Sequence, residues 1–563
     1  MGESNPACEV AARRRWILMT WVVCLELWAM GALRASNPAA EVDTAPSPVA
    51  RVGFEVSIPP GLRNLPHDSR LLVVLAPPGR GEPRESIGRL GAQAPTLMGV
   101  DVPAGSKSAT VRVGEGAAVF PWRALGELPA RTYAAQAVFM TNRDLWFPGA
   151  PGNPYSEPRT VTVDVRQKTS IALTLEAAEP VESLPTEAGL VRYRKIRSEK
   201  LSRFWGRDMF LRVGVVLPRS WETESGRRFP LVIDIGGYAS RFTRASGMMR
   251  ERSGWRTAWM APDAPQMIWV TLDGAGPLGD PYQVDSANHG PYGAALVEEV
   301  LPALEHEFRA IGQPWARFTT GGSTGGWVSF ALQVLYPDVF GGCWSGFPDP
   351  LDFRDFQLVD LYRDTNAFVN VDGFERPSSR TLRGDVKFTM RHEVQYENVL
   401  GLGDSYTRSG GQWGAWNATF APRGDTGQPV PGWDPRTGAL ASGIGESWRR
   451  WDMRRLMEEN WETLAPKLVG KLKVWVGEAD EYFLNNAVHR MDDFLKRATP
   501  SVNARFEYGP GQPHGWNPRS PAALFMEMQD AADRGAPKET GREAYFRTRF
   551  LHGAACVHCK GGR

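Results

Sequence analysis

Length, composition and charge define the broad class of this 563-residue chain. A hydrophobic content of 42% and a charged content of 23% are those of a globular protein, and the length suits two or three domains that each bury a core. The formal net charge of +2 excludes a nucleic-acid partner held mainly by phosphate attraction. The sequence also lacks a basic stripe with interleaved aromatic residues.

Residues 1–36 have the pattern of a signal peptide or an N-terminal membrane anchor. Three arginines at 13–15 precede a mostly apolar stretch at 16–33, and small residues follow. No second apolar run approaches the roughly 20 residues that span a bilayer. We therefore expect export to the periplasm or the extracellular space, with leader removal and anchoring as the two alternatives. Residues 37–50, rich in Pro, Ala and Asp, are predicted to be a linker.

Residues 51–175 are predicted to form a small β-sandwich domain. Short alternating apolar runs are separated by Gly- and Pro-rich turns, and no convincing helical pattern intervenes. The region contains no catalytic constellation. We therefore assign it to packing, spacing or carbohydrate contact.

Residues 190–532 alternate predicted strands and helices, which indicates an α/β domain. The predicted strands lie at 210–217, 229–235, 267–272, 317–320, 472–476 and 505–508. This order predicts a mostly parallel sheet with helices on both faces and an active site beyond the carboxyl ends of the strands. The alternation stops between about 349 and 468, a Trp-rich stretch that we interpret as an insertion forming a lid or substrate wall. Residues 533–563 are predicted to be a polar tail.

The motif that carries the chemistry lies at 317–327 and reads Arg-Phe-Thr-Thr-Gly-Gly-Ser-Thr-Gly-Gly-Trp. A β-forming run leads into a Gly-x-Ser-x-Gly turn centred on Ser323, and helical spacing follows. This strand–turn–helix order is typical of a nucleophile elbow, in which small residues let the chain bend sharply and leave the serine hydroxyl exposed. Ser323 is thus the predicted nucleophile, and an ordinary Gly-rich turn is the alternative.

A serine nucleophile needs a histidine base, and the chain has eight histidines. His514 lies in a loop after the last predicted strand, which is the right position for a base at the carboxyl edge of the sheet. His289 is the main competitor, but it precedes Ser323, whereas hydrolases of this architecture run in the order Ser, acid, His. We retain His289 as a candidate substrate-binding residue.

The base in turn needs a carboxylate, which we place in the turn after the strand at 472–476. Three acids compete there. We choose Asp480, with Glu481 as the second choice and Glu478 as the third, because an acid a few residues past the strand end can turn back under the imidazole. The alternative role for Asp480 is to cap the helix that follows.

The tetrahedral intermediate of acyl transfer requires two amide donors. We assign one to the N–H of Thr324 and the other to the turn at Gly237 and Tyr238. Trp327 and Trp344 are further candidate substrate-binding residues, with core packing as their alternative role. A serine hydrolase implies no metal or organic cofactor. The Cys-Val-His-Cys run at 556–559 offers too few ligands for a closed zinc site, and we interpret it as a local disulfide or a flexible thiol pair.

These motifs together resemble a family of esterases in the α/β-hydrolase superfamily. The family includes enterochelin-esterase-like, S-formylglutathione-hydrolase-like, feruloyl-esterase-like and mycolyltransferase proteins. The resemblance covers about 210–532 and rests on the Phe-Pro-Leu-Val-Ile-Asp-Ile-Gly-Gly run at 229–237, the elbow, the run at 336–341, the acid turn at 477–484 and the Pro-His-Gly-Trp run at 513–516. It implies the α/β-hydrolase fold and the triad Ser323, Asp480 and His514. The Trp-rich insertion and the N-terminal β domain depart from the family and leave the substrate open.

The favoured function is an exported serine hydrolase that cleaves carboxylic esters through an acyl-enzyme, with carbohydrate-linked or aryl esters as candidate substrates. One alternative is a non-catalytic glycan-binding or envelope protein on a hydrolase scaffold. Another is an acyltransferase or peptidase of the same fold. The expected partner is a small-molecule or glycan-linked ester, with no nucleic acid and no integral membrane span beyond an N-terminal anchor.

Overall fold

The structure, a computed structural model, describes residues 52–537. The predicted leader, the linker at 37–50 and nearly all of the C-terminal tail lie outside the described residues. Within 52–537, none of the helices combines the length and the apolar character that a membrane span requires.

The described chain begins with a β domain of nine strands. The strands are β1 Val52–Ser57, β2 Ser69–Ala76, β3 Thr96–Val102, β4 Thr110–Val113, β5 Ala118–Phe120, β6 Arg131–Met140, β7 Pro154–Ser156, β8 Arg159–Val163 and β9 Thr169–Ala178. They pair in the order β4-β1-β9-β7-β6-β2-β3-β5, with β8 on β6. Phe54 of β1, Val73 of β2, Phe139 of β6 and Leu173 of β9 share one buried core, so the strands pack as two layers.

The second domain is built on a mixed sheet in the order β10-β11-β13-β12-β16-β17-β20-β21. The strands of this sheet are β10 Val191–Arg197, β11 Phe210–Val216, β12 Leu231–Ile235, β13 Ile268–Leu272, β16 Arg317–Gly322, β17 Gly342–Gly346, β20 Leu472–Gly477 and β21 Arg505–Gly509. Two short antiparallel pairs form separate sheets: β14 Asp285–Ser286 with β15 Gly290–Pro291, and β18 Pro377–Arg380 with β19 Val386–Thr389. β11 is antiparallel to both of its neighbours, and the pairings from β13 to β21 are parallel.

Helices cover both faces of this sheet. They are α1 Glu199–Trp205, α2 Arg244–Met248, α3 Gly254–Met260, α4 Tyr292–Ala295, α5 Leu301–Glu307, α6 Thr324–Leu335, α7 Met390–Leu400, α8 Gln412–Phe420, α9 Ile444–Trp448, α10 Met453–Glu459, α11 Trp461–Leu468, α12 Asn485–Arg497 and α13 Pro521–Gly535, with a π-helical segment at Leu296–Val300. Ile233 of β12 packs in one core with Val328 of α6, whereas its neighbour Val232 packs in the other with Trp259 of α3 and Phe525 of α13. The predicted α/β fold, a mostly parallel sheet with helices on both faces, is therefore confirmed.

The predicted insertion occupies the chain between β17 and β20 and holds the hairpin β18–β19 and the helices α7 to α11. Its tryptophans form an aromatic core, in which the ring centroids of Trp413 and Trp416 are 4.9 Å apart and Trp433 stacks on Tyr406 at 5.0 Å. A large indole surface contributes more stability inside a core than it would in a mobile flap. The insertion is accordingly a packed layer of the domain.

The insertion also holds the β domain in place. Val74 of β2 and Val138 of β6, on the outer face of the β layer, pack against Val399 of α7. Arg70, only 1% exposed, donates to Val399 O at 2.9 Å and to Asp404 Oδ1 at 2.7 Å. A buried guanidinium whose donors are satisfied across the boundary fixes the two parts in register.

Candidate active site

Ser323 lies at a sharp turn between β16 and α6. Its backbone has φ 59° and ψ −125°, a conformation that non-glycine residues rarely adopt and that often marks a functional site. The glycines of the turn permit close packing, because a Cβ on Gly325 would lie 2.0 Å from Ile235 O and one on Gly326 would lie 2.3 Å from Gly346 O. The Gly-rich motif thus lets the elbow pack directly against β12 and β17.

His514 and Asp480 meet beyond the carboxyl ends of β21 and β20. Nδ1 of His514 is 2.8 Å from Oδ2 of Asp480, whose side chain is fully buried. The other carboxylate oxygen accepts the N–H of Tyr482 at 2.8 Å. Since an ionised carboxylate only accepts hydrogen bonds, Nδ1 is the donor and Nε2 is left free to take up a proton.

Two aromatic rings enclose this imidazole. The ring centroids of Phe347 and Tyr482 are 4.8 Å and 5.0 Å from that of His514, both in edge-on contact. Burial lowers the pKa of His514, but the hydrogen bond and charge of Asp480, together with the nearby charges, outweigh it and leave the pKa above its ordinary value. A raised pKa makes the imidazole a better proton acceptor.

The three acids of the turn have different partners. Asp480 contacts the imidazole of His514, whereas Glu481 accepts the backbone N–H of that residue at 2.6 Å. Glu478 pairs with the ring of His489 at 3.1 Å. Of the three acids, Asp480 is therefore the one placed to orient the imidazole of His514.

Arg380, in the hairpin of the insertion, supports the acid turn. Its Nε and Nη2 donate to the backbone carbonyl of Asp480 at 3.2 Å and 3.0 Å, and its own N–H donates to Glu481 O at 3.0 Å. The guanidinium lies 4.3 Å from the ring centroid of Phe483. No local pattern in the sequence indicates this contact, because 100 residues separate the two partners.

Ser323 and His514 line the same cavity, which has a volume of about 820 Å³. Within the described residues no hydrogen bond joins the Ser323 hydroxyl to the imidazole. Such bonds are often long in sites without substrate and tighten when it binds.

The predicted amide donors lie beside Ser323. A Cβ on Gly237 would be 3.8 Å from the Cβ of Ser323, and Tyr238 lines the cavity. Thr324 is the first residue of α6, where amide groups have no partner within the helix. An oxygen next to Ser323 could therefore accept from two sides.

Asp280 and the insertion fix this turn, a role that the sequence analysis missed. Asp280 Oδ2 accepts the N–H of Ala239 at 3.1 Å, and the hydroxyl of Tyr238 donates to the carbonyl of Gly410. Burial raises the pKa of Asp280 to about 7.

Asp349 is a further buried acid at the cavity, which the sequence analysis placed only at the start of the insertion. It is 2% exposed and its Oδ2 accepts from Tyr282 Oη at 2.6 Å, Thr324 Oγ1 at 2.9 Å and Trp416 Nε1 at 3.1 Å. Burial raises its pKa. These bonds tie the start of α6 to the insertion directly beside Ser323.

The remaining walls come from the insertion and from the β domain. The insertion contributes Glu393, Tyr396, Glu397 and Gln412. Burial, with the nearby charge of Glu393, raises the pKa of Glu397 to about 8. The β domain lines the cavity with residues between 84 and 90 and between 146 and 151, although its sequence carried no catalytic motif.

Three candidate substrate-binding residues lie inside the protein and outside the cavity lining. Trp327 and Trp344 are each fully buried, on opposite faces of the sheet. His289 is also fully buried, and burial lowers its pKa to about 4. All three side chains pack in the interior, so none has surface at the cavity with which to contact a substrate.

The described residues contain no group of three or more His, Cys, Asp or Glu side chains arranged to hold a metal ion. Cys343 is buried on β17, and burial raises the pKa of its thiol to about 12. Such a thiol has the character of a small apolar residue.

Comparisons with known proteins gave structural likenesses alone: neither the protein-family models nor the curated protein sequences yielded a match. A ferulic acid esterase aligns over 61% of this chain and 97% of its own, with 15% identity and a TM-score of 0.38. An S-formylglutathione hydrolase from Agrobacterium tumefaciens aligns over 62% and 97%, with 13% identity and a TM-score of 0.33. The fluorophosphonate-binding serine hydrolase F of Staphylococcus aureus aligns over 62% and 98%, with 14% identity and a TM-score of 0.34. At these low values, function has to be argued from the geometry of the site.

Proposed function

We propose that this protein is a serine hydrolase that cleaves carboxylic esters through an acyl-enzyme. The observation that carries the proposal is the 2.8 Å contact between His514 and Asp480 at the cavity into which the elbow residue Ser323 also opens. A nucleophile, an oriented base and a buried carboxylate at one cavity form the constellation that acyl transfer uses.

In this mechanism Nε2 of His514 takes the proton of the Ser323 hydroxyl as its oxygen attacks the ester carbonyl. The N–H of Thr324 and an N–H of the Gly237–Tyr238 turn stabilise the oxyanion. The imidazolium, held by Asp480, then protonates the departing alcohol. Water enters, His514 removes its proton, and the second attack releases the carboxylic acid and restores Ser323.

The proposal extends to aryl or carbohydrate-linked esters and to export. Aromatic residues such as Tyr396, Trp416 and Tyr482 line the cavity together with Gln357 and Gln412, a mixture that suits the stacking and hydrogen bonding of such groups. Export rests on the leader-like pattern of residues 1–36.

The test is labelling with a fluorophosphonate probe combined with turnover of p-nitrophenyl esters. We expect the wild type to be labelled and active. Ser323→Ala should lose both properties while keeping its thermal unfolding transition, because the substitution removes one oxygen at the cavity surface. Near-normal turnover by Ser323→Ala would refute the nucleophile. A wild type that is neither labelled nor active would support the non-catalytic scaffold instead, and peptide or acyl-transfer substrates tested in parallel separate the other reactions of this fold.

A further inference from the structure

One wall of the active-site cavity belongs to the β domain. Ile87 and Leu90 reach it from the segment between β2 and β3, and Trp146 and Phe147 reach it from the loop between β6 and β7. The chemistry proposed above gives these four side chains no role. They are apolar or aromatic, and they line the same space as Ser323.

The loop that carries the two aromatic residues is held rigidly. Asn153 is 1% exposed, and its side chain donates to the carbonyl of Phe147 at 3.0 Å and accepts the N–H of Thr141 at 2.9 Å. The N–H of Trp146 donates across the domain boundary to Gly276 O at 3.1 Å. A ligand that binds this loop therefore loses little free energy in ordering it.

The β domain itself is anchored, so this wall keeps its distance from the nucleophile. The apolar outer face of its sheet packs on α7, and the buried Arg70 bonds to the insertion. Domains joined by such an apolar interface do not move freely against each other.

The two arginines at the cavity are each paired with two carboxylates. The pairs are Arg84 with Glu82 and Glu179, and Arg241 with Asp273 and Glu182. Neither guanidinium offers an uncompensated charge to an anionic group. A charged group of either sign that is buried against the apolar side chains of this wall would lack a partner there, so the wall around Trp146 favours an uncharged ligand.

The cavity volume of about 820 Å³ is far larger than a small acyl group needs. It lies in the upper part of the range of about 300–1,000 Å³ that encloses drug-sized ligands. We propose that Ile87, Leu90, Trp146 and Phe147 form a subsite for the part of the ester that does not react, and that this part is bulky, uncharged and largely apolar. This inference rests on the proposed esterase function and assigns the β domain to substrate selection.

The experiment compares a small ester, p-nitrophenyl acetate, with two bulky ones, p-nitrophenyl hydrocinnamate and naphthyl acetate, which enlarge the acyl and the alcohol side respectively. The readout is the ratio of kcat/KM for the bulky ester to that for the small ester. For Phe147→Ala we expect the ratio to fall about tenfold or more for one of the bulky esters, mainly through KM. Ile87→Ala, in the other segment, should lower the same ratio and provides a second variant if Phe147→Ala folds poorly.

Trp122→Ala is the matched control, because Trp122 is a half-buried aromatic residue of the same domain that packs against its core and does not line the cavity. Its ratio should equal that of the wild type. Ratios that stay unchanged in both Phe147→Ala and Ile87→Ala, or that fall equally in the control, overturn the subsite while leaving the esterase intact. A wild type that hydrolyses none of the esters and is not labelled at Ser323 overturns the function and the subsite together.

Discussion

Replacing Asp480 by asparagine tests how the triad works, because it changes one group while keeping its shape. Oδ1 of Asp480 accepts the N–H of Tyr482 at 2.8 Å, so the amide oxygen of the variant remains there. Its NH₂ group then faces Nδ1 of His514, where Oδ2 now lies at 2.8 Å. The imidazole must accept at Nδ1 and carry its proton on Nε2. It can no longer accept the proton of Ser323.

The expected loss in kcat/KM is about 10⁴-fold, the cost known for the same replacement in a serine protease triad. This corresponds to about 5 kcal/mol in the activation barrier. The variant keeps the buried volume and the bond to Tyr482, so we expect its melting temperature to change little. The assay is steady-state hydrolysis of p-nitrophenyl acetate with thermal unfolding measured on the same preparation.

The two neighbouring acids supply matched controls in the same turn. Glu478→Gln removes charge from a carboxylate that pairs with His489 and should change kcat/KM by less than about threefold. Glu481→Gln keeps an acceptor for the backbone N–H of His514 and should cost far less than Asp480→Asn. A variant Asp480→Asn that retains more than about a tenth of wild-type kcat/KM, or a Glu481→Gln variant with an equal loss, would refute this assignment of the acid.

The pH dependence and the support of the acid turn give two further predictions. The pKa of His514 is raised, and the protonated ring cannot act as a base. We therefore expect kcat/KM to fall toward acid pH with an apparent pKa above about 6.5. A pH–rate profile with an apparent pKa below that value would contradict this expectation. Arg380→Met removes two bonds to the Asp480 carbonyl and should lower kcat about 10- to 100-fold at nearly constant KM. Arg391→Met is the control, because it removes a guanidinium that lies over the ring of Phe368. Equal losses of kcat in the two variants would indicate a general disturbance of the insertion and contradict a specific role of Arg380 at the acid turn.

The sequence was sufficient where a structural feature depends on local chain geometry. The glycines around Ser323, the acid turn after β20 and the loop carrying His514 each show a pattern that a few neighbouring residues determine. The fold class followed from the alternation of strands and helices for the same reason. Each of these features can be recognised without knowing what packs against it.

The rest of the site depends on contacts between distant segments. Asp349 lies beside Ser323 because β17 lies next to β16, and Arg380 reaches Asp480 because the insertion folds back onto the sheet. Nothing in the neighbouring sequence of either residue indicates its partner. Trp327 and Trp344 show a different limit of the sequence. An indole suits both stacking on a substrate and packing in a core, so the residue type alone does not tell which of the two roles a tryptophan has.

The order of the strands explains how three distant loops meet. Ser323 follows β16, and β17 and β20 separate it from β21, which precedes His514. With strands about 4.8 Å apart, the three spacings from β21 to β16 mean that the loop after β21 must return across roughly 14 Å to approach Ser323. The edge-on contact between His514 and Phe347, the residue that directly follows β17, places the imidazole over the strand next to β16. The loop after β21 therefore carries the imidazole of His514 back toward β17, and Asp480, in the turn that follows β20, contacts it at 2.8 Å.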